Sequence, residues 1–277
     1  MRGSGSGRGQ RYEVAALAKG LLVLSTLADA GKPMRLQELA AATRLPAPTV
    51  FRLLRTLQAH EYVRQLPDDG TVLGAAVMKL ALALRQTDVA VAGRGPLRAL
   101  AETTGETVNM GVLLGSGVLY TIRILNADFL TANIRVGSVL PAWWTSMGKM
   151  LLASLPDQEW RSRLADVDFQ LAGSGPNAVR TIEDLARQLE KVRQQDWASQ
   201  DEEVSRGLLS IAAPVRDESG QVIAAINLAV QTHRLRMRQL VSRLLPQLLA
   251  TADEISRSLG YSRPRTEAAI AQKGVAE

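Results

Sequence analysis

The spacing of apolar residues changes along the chain and divides it into two parts. Up to about residue 104, apolar positions recur every three or four residues, as in helices, with one short alternating segment between them. From Thr107 onward, segments that alternate apolar and polar residues occur among further helical segments. The pattern therefore predicts an all-helical start with one hairpin, followed by an α+β domain.

Two short helical patterns separated by a turn lie between Leu36 and Leu57. The break falls at Pro46, which lacks a backbone donor and crowds the preceding turn. Pro48 fits the first turn of the second helix, and the polar face of that helix carries Thr49, Arg52, Arg55 and Thr56. The stretch is typical of a helix-turn-helix whose second helix enters the DNA major groove; an ordinary helical hairpin is the alternative.

A hairpin pattern follows directly. Alternating segments at Tyr62–Leu66 and Thr71–Gly74 flank the turn Pro67–Gly70, whose Asp-Gly pair is a strong hairpin signal. A hairpin after a recognition helix is a wing, so this unit is predicted to be a winged helix-turn-helix. The residues expected at the DNA are Pro48, Thr49, Arg52, Arg55, Thr56, Arg64 on the wing, and Arg8 or Arg11 in the amino-terminal arm.

The remaining pattern gives the domain organisation. Residues 12–74 are predicted to form the DNA-binding domain, 75–88 a linker helix and 89–260 the second domain, with disordered tails at 1–11 and 261–277. The linker Ala75–Arg85 is strongly apolar, which fits either a dimer contact or a core helix. We predict a helix at Val89–Thr104, broken near Gly93–Pro96. Strands are predicted at Thr107–Leu114, Val118–Leu125, Thr131–Val136, Leu208–Val215 and Gln221–Val230.

The excess positive charge lies in the first part of the chain. Residues 1–65 contain ten Lys or Arg and four Asp or Glu, whereas the rest contains 23 of each sign. Lysine and arginine on phosphates supply the salt-dependent part of DNA affinity, so this distribution favours a nucleic-acid partner for the amino-terminal domain.

Composition excludes several other classes of protein. The chain has no cysteine, so disulfides and thiolate metal sites are impossible, which suits a cytoplasmic location. No apolar run is long enough to span a bilayer, and Met1 to Gln10 lacks the apolar core of a signal peptide. We expect no membrane association, no metal site and no cofactor.

Three segments resemble the IclR family of bacterial transcriptional regulators. They are the opening YEVAALAKGLLVLSTL from Tyr12, LPAWWTSMGKMLLA from Leu140, and DEEVSRGLLSIAAPVRDESGQVIAAINLAV from Asp201. The resemblance spans about Tyr12 to Gly260 and implies a GAF-like effector-binding domain, homodimers or tetramers, and palindromic double-stranded DNA operators. ANIRVGSVLPA followed by TSMGK, and AAINLAV near the end, are most similar to the branch that regulates aromatic-acid catabolism through the β-ketoadipate pathway.

A small-molecule site is expected near the helix that opens at Thr145, because the first N–H groups of a helix lack partners and bind carboxylates. The resemblance implies a ligand here, beside Ser210, Asn227 and an acidic loop position near Asp201. We predict that a small organic acid places its carboxylate at Ser146 and Met147. Apolar walls would come from Phe129, Leu140, Leu208 and either Trp143 or Trp144. Structural roles are the alternatives: Ser146 as a helix cap, the tryptophans as core, and Asn227 as a satisfied strand residue.

The sequence offers little for catalysis. Nucleophilic chemistry needs a base, and the two histidines, His60 and His233, fit surface or capping positions better. The acidic run Asp201–Glu203 is expected to be solvated. We therefore predict no catalytic residue. An enzyme on small acids with a DNA-binding appendage, or a nucleoid protein indifferent to sequence, is the alternative.

Overall fold

The computed structural model describes residues 13–85, 88–125, 134–170 and 174–262. Two compact units, Met1–Gln86 and Thr87–Glu277, divide the chain. Phe129, Arg8, Arg11 and both predicted tails, apart from residues 261 and 262, lie outside the described residues. Within those ranges, no helix is both long and apolar enough to cross a lipid bilayer.

The first unit has the elements expected of a helix-turn-helix with a wing. Its helices and strands are α1 (Ala15–Ala30), α2 (Leu36–Thr43), α3 (Ala47–Ala59), β1 (Val63–Gln65), β2 (Thr71–Leu73) and α4 (Ala75–Arg85). The turn before α3 forms because Arg44 adopts a left-handed conformation, with φ 55°, and Pro46 then blocks helix continuation. Pro48 lies in the first turn of α3, where its missing donor costs nothing.

Side chains from α1, α2, α3, β1 and β2 form the core of this unit. Leu39 of α2 and Val50 of α3 are fully buried, and the other buried apolar residues are Val23, Leu27, Met34 and Val63. The wing is also joined to the connection between α1 and α2, because Met34 and Thr71 exchange two backbone hydrogen bonds of 3.0 and 2.8 Å. The helix-turn-helix and the wing are therefore tied into one unit.

The Asp-Gly hairpin turn forms in an unexpected way. Asp69 takes the left-handed conformation, with φ 62°, whereas Gly70 has no positive φ. A Cβ atom at Gly70 would lie 2.9 Å from the Cβ of Pro33. Gly70 is therefore required by close packing against the neighbouring segment rather than by its own backbone angle.

The second unit is α+β, as the sequence predicts. Its elements are α5 (Asp88–Thr104), β3 (Thr107–Leu114), β4 (Gly117–Ile124), β5 (Val139–Pro141), α6 (Ser146–Ala153), α7 (Asp157–Arg163), α8 (Ile182–Gln195), β6 (Ala198–Asp201), β7 (Leu208–Arg216), β8 (Val222–Gln231) and α9 (Met237–Ser258). The strands form one antiparallel sheet in the order β5-β4-β3-β8-β7-β6. One face packs against α6, α7 and α8, and the other against α5 and α9.

Two predicted features of this unit are corrected, and one strand is added. The helix α5 continues through Gly93–Pro96 without a break. Gly93 is needed for packing, because a Cβ there would lie 2.4 Å from Cε of Met110. Residues 134–136 of the predicted third strand are not in a strand, and β5 at Val139–Pro141 pairs with β4 instead. The strand β6 was not predicted, since it is short and polar and depends on pairing with β7.

Candidate functional site

The outer face of α3 is basic and exposed. Pro48, Arg52, Arg55 and Thr56 are exposed, Thr49 is half-buried, and Arg64 is exposed on β1. The helix carries two arginines and no acidic residue, which favours approach to phosphates. Phe51, which sequence reasoning missed, lies at the edge of this face, one turn before Arg55, with 53% of its surface exposed. An aromatic side chain next to two arginines suits contact with base edges.

The second unit contains a small polar cavity against one face of the sheet. Its volume is about 20 Å³, enough for about one water molecule. The described residues that line it are Asn109, Tyr120, Arg123, Ile134, Thr145, Gln200, Val204, Leu208, Ser210, Asn227 and Ala229. A ligand as large as an aromatic acid would have to widen this cavity on binding.

A row of hydrogen-bonded side chains crosses the sheet at the cavity. Arg123 on β4 and Asn227 on β8 are both register partners of Asn109 on β3. Arg123 Nη1 donates to Asn109 Oδ1 at 2.9 Å, and Asn109 Nδ2 donates to Asn227 Oδ1 at 2.8 Å. Asn227 Nδ2 donates to Ser146 Oγ at 3.4 Å, and the hydroxyl oxygens of Ser146 and Ser210 are 2.7 Å apart. The row therefore connects β4 to the first turn of α6.

The start of α6 is held by local contacts. Thr145 Oγ1 accepts the backbone N–H of Gly148 at 3.0 Å, so Thr145, rather than Ser146, caps the helix. Gly148 allows the helix to approach closely, because a Cβ there would lie 2.2 Å from the carbonyl oxygen of Ala142. Ser146 and Met147 are fully buried and do not line the cavity.

Not all the residues predicted for the ligand site meet at the cavity. Leu208, Ser210 and Asn227 line it, and Ser146 reaches it through its hydrogen bonds with Ser210 and Asn227. Met147, Trp143 and Trp144 pack in the core between the sheet and α8, with the half-buried Leu140 against them. Asp201 ends β6, is exposed, and its carbonyl oxygen accepts a hydrogen bond from Asn177.

Sequence reasoning missed most of the polar lining. Asn109, Tyr120 and Gln200 lie in strands, where periodicity gives no sign that a polar group faces a cavity. Arg123 carried a usable signal, since a single charge inside the apolar strand Gly117–Ile124 needs a structural explanation. The residues are far apart in sequence, so only the pairing of strands brings them together.

A buried ion pair lies behind the cavity. Lys149 of α6 pairs with Glu203, and Lys149 Nζ also donates to the carbonyl oxygen of Ser199 at 3.3 Å. Burial lowers the pKa of the Lys149 amine and raises the pKa of the Glu203 carboxyl, although their attraction opposes both shifts. The expectation that the run Asp201–Glu203 is solvated is therefore wrong for Glu203, which is 6% exposed.

Comparison with known proteins assigns the chain to a class. A helix-turn-helix domain of the IclR type matches residues 16–67, and the family described as bacterial transcriptional regulator IclR C-terminal matches residues 81–257. A helix-turn-helix unit joined to this α+β domain defines a DNA-binding transcriptional regulator. The chain belongs to the IclR family of bacterial transcriptional regulators.

Individual relatives agree with this assignment. The Pca regulon regulatory protein of Pseudomonas putida is 31% identical over 250 residues, which cover 89% of this chain and 84% of that protein. The solved structure of a transcriptional regulator from Rhodococcus sp. RHA1 is 30% identical, with a TM-score of 0.72 over 89% of this chain and 98% of that one. An IclR homologue from Microbacterium hydrocarbonoxydans, solved in complex with 4-hydroxybenzoate, is 23% identical, with a TM-score of 0.74 over 89% of this chain and all of that one. These relatives are regulators and homologues of regulators, not enzymes.

Proposed function

We propose that this regulator binds a palindromic operator as a dimer or tetramer, and that a small organic acid in the second unit changes its operator affinity. The observation that carries the proposal is the polar cavity, which has one arginine, two asparagines and Ser210 in its wall. Burying polar groups costs free energy unless they are hydrogen-bonded. Their presence in the cavity wall therefore supports the binding of a polar ligand there.

The DNA-binding part of the proposal rests on the exposed face of α3. Arg52 and Arg55 lie one turn apart on that face, and Pro48 and Thr49 occupy the end that enters the groove. Thr56 and, on β1, Arg64 flank this surface. The positive charge of this unit would supply affinity for phosphates, while the side chains at the start of α3 would select the sequence.

The effector is proposed to be a small carboxylic acid. Leu208 and Val204 offer apolar surface to its body, and Asn227 and Ser210 offer hydrogen bonds. The relative that binds 4-hydroxybenzoate supports an aromatic acid as the first candidate. Ser146 is buried and hydrogen-bonded to Ser210 and Asn227. We therefore propose that the ligand contacts Ser210 and Asn227 and affects Ser146 only through them. The predicted roles of Phe129, Leu140, Trp143, Met147 and Asp201 in ligand binding stay predictions.

A second copy of the chain is the proposed occupant of an apolar surface on the first unit. Leu17 and Leu21 of α1 are 62% and 55% exposed, and together with Leu80 of α4 they border one apolar groove. A palindromic operator requires two copies related by a twofold axis, and a self-complementary apolar face provides that contact. Replacing both leucines by serine should weaken self-association in sedimentation experiments, whereas Lys19→Ser on the same helix should not.

Coupling between the two ligands follows from linkage. An acid that binds one arrangement of the protein better than another shifts the population toward it. Operator and effector affinities then change by the same factor, typically about 5- to 150-fold.

The test is operator binding at fixed salt, with DNA from upstream of the protein's own gene and random DNA of equal length. We expect dissociation constants of about 10⁻⁸–10⁻¹¹ M for the specific DNA and about 10³-fold or more weaker binding to the random DNA. Adding benzoate or 4-hydroxybenzoate should change only the specific affinity. Equal affinity for both DNAs would contradict the proposal and favour a nucleoid-binding role.

A further inference from the structure

An irregularity in β4 sets which side chains face the cavity. Asn109 pairs with Arg123 and Met110 with Ile122, but Gly111 pairs with Tyr120, so Thr121 is an extra residue on β4. Side chains alternate between the faces of a regular strand, and residues three apart then point to opposite faces. The bulge at Thr121 shifts this alternation. Tyr120 and Arg123 consequently share the face that packs against α6, and both line the cavity.

Arg123 has donors left to offer. Its Nη1 donates to Asn109, but its Nε is buried and has no hydrogen-bond partner among the described residues. None of the ion pairs found in the described part of the chain includes Arg123. It is also the only charged residue among the described residues that line the cavity. A half-buried guanidinium that has no carboxylate partner among the described residues leaves a charge that an anion would compensate.

Tyr120 adds a second donor beside it. Its ring is 4% exposed, and no described residue hydrogen-bonds to its hydroxyl. Burial raises the pKa of Tyr120 to about 12, so the phenol stays protonated at neutral pH and can donate. Two side chains on one face of the sheet therefore line the cavity, and neither Arg123 Nε nor the Tyr120 hydroxyl has an acceptor among the described residues.

The row of amides also depends on Arg123. Because a guanidinium can only donate, Asn109 must turn its oxygen toward Arg123 and its amide nitrogen toward Asn227. Asn227 is then fixed with its nitrogen toward Ser146 at the start of α6. An anion at Arg123 would thus act on a chain of hydrogen bonds that ends at α6.

We propose that Tyr120 and Arg123 form the anion-recognising end of the effector cavity, where a ligand carboxylate accepts hydrogen bonds from Arg123 Nε and the Tyr120 hydroxyl. The inference rests on the proposed effector function and moves the carboxylate from the start of α6 to β4. The ligand class is a monocarboxylate with a compact apolar body, which packs against Ile134, Val204 and Leu208. Arg123 then supplies the charge and Tyr120 the specificity for an oxygen acceptor.

The experiment compares acids with their neutral amides by calorimetry on the full chain. The probes are benzoate, 4-hydroxybenzoate and butyrate, each paired with its amide. We expect the wild type to bind at least one acid more tightly than its amide. Arg123→Gln should lower the affinity for that acid by about tenfold or more and leave the affinity for the amide unchanged. Tyr120→Phe should lower the affinity for the acid by a smaller factor. Arg206→Gln, an exposed arginine outside the cavity lining, is the matched control and should change nothing.

Two results would overturn the inference. If Arg123→Gln and Tyr120→Phe both keep the full preference for acid over amide, the carboxylate binds elsewhere. If the wild type binds none of the three acids, the ligand class is wrong. Specific binding to operator DNA, measured separately, then shows whether the DNA-binding function also fails. Should Arg123→Gln fail to fold, judged by its thermal transition, Tyr120→Phe and the conservative Arg123→Lys carry the same comparison.

Discussion

The hydroxyl oxygens of Ser146 and Ser210 lie 2.7 Å apart, and this contact joins the first turn of α6 to β7. Both residues are buried, and the neighbouring Asn227 also donates to Ser146. The start of α6 is therefore bound to the sheet through side chains at the cavity wall. A ligand that disturbs Ser210 or Asn227 would change how this helix is held.

Asn227→Ala should destabilise the second unit. The change removes the acceptor for Asn109 Nδ2 and the donor to Ser146, which leaves buried polar groups unpaired. We expect a loss of about 1–3 kcal/mol in the free energy of unfolding. All four tryptophans lie in this unit, so fluorescence during urea unfolding reports on it selectively. Lys191→Ala on the exposed face of α8 is the control, and an equal effect of both changes would contradict the prediction.

Lys149→Met should be more damaging, because it leaves the Glu203 carboxylate buried without its partner. Removing one member of a buried ion pair typically costs about 3–5 kcal/mol. The double change Lys149→Met with Glu203→Gln should recover part of that loss, since no charge is then buried. Denaturant unfolding followed by tryptophan fluorescence measures the stability of the single and the double variant. A double variant no more stable than Lys149→Met would argue against an uncompensated charge as the cause.

Glu106 should make stability depend on pH. The residue is 4% exposed, and although Arg234 lies 3.3 Å away, burial raises the pKa of its carboxyl from 4.5. The folded state therefore holds this proton to higher pH than the unfolded state, and the free energy of unfolding falls as pH rises through that window. Relative to Glu106→Gln, the wild type should lose stability as the pH rises above 4.5 and through the raised pKa of Glu106. A difference between the two proteins that stays constant with pH would contradict this, and Glu183→Gln on an exposed position is the control.

Arg52→Ala should weaken specific operator binding by about 1–3 kcal/mol if its guanidinium contacts a base. The side chain is exposed on α3 and makes no ion pair within the described residues. Fluorescence anisotropy with operator and random DNA separates two roles. Equal weakening on both DNAs would show a phosphate contact instead, and Arg206→Ala serves as the control for a lost surface charge.

Phe51 should contact a thymine methyl group. An apolar side chain that is 53% exposed beside Arg52 and Arg55 can be covered by that methyl in the major groove. Replacing the contacted thymine by uracil should weaken wild-type binding by about fourfold, the worth of one buried methyl-sized group. The same replacement should have no effect on Phe51→Ala, and Phe51→Leu should keep part of the discrimination. If the losses in affinity from Phe51→Ala and from the uracil replacement simply add, the contact is contradicted.

The sequence by itself determined the local elements. The apolar stripe of α3, the helix-blocking Pro46 and the alternating segments of the wing predict the helix-turn-helix, and all three are confirmed. The strands β3, β4, β7 and β8 are likewise confirmed, and most of their residues are buried because helices cover both faces of the sheet. These features depend on residues close together in the chain, where propensity and spacing act directly.

Only the tertiary structure decided the cavity. Arg123, Asn109 and Asn227 meet because strand register places them opposite one another, although more than a hundred residues separate Asn109 from Asn227. The bulge at Thr121 places Tyr120 on the same face of the sheet as Arg123, and no local sequence pattern predicts this bulge. Register is fixed by burying the faces of the whole sheet at once, so the positions of these side chains follow from packing that no single segment contains.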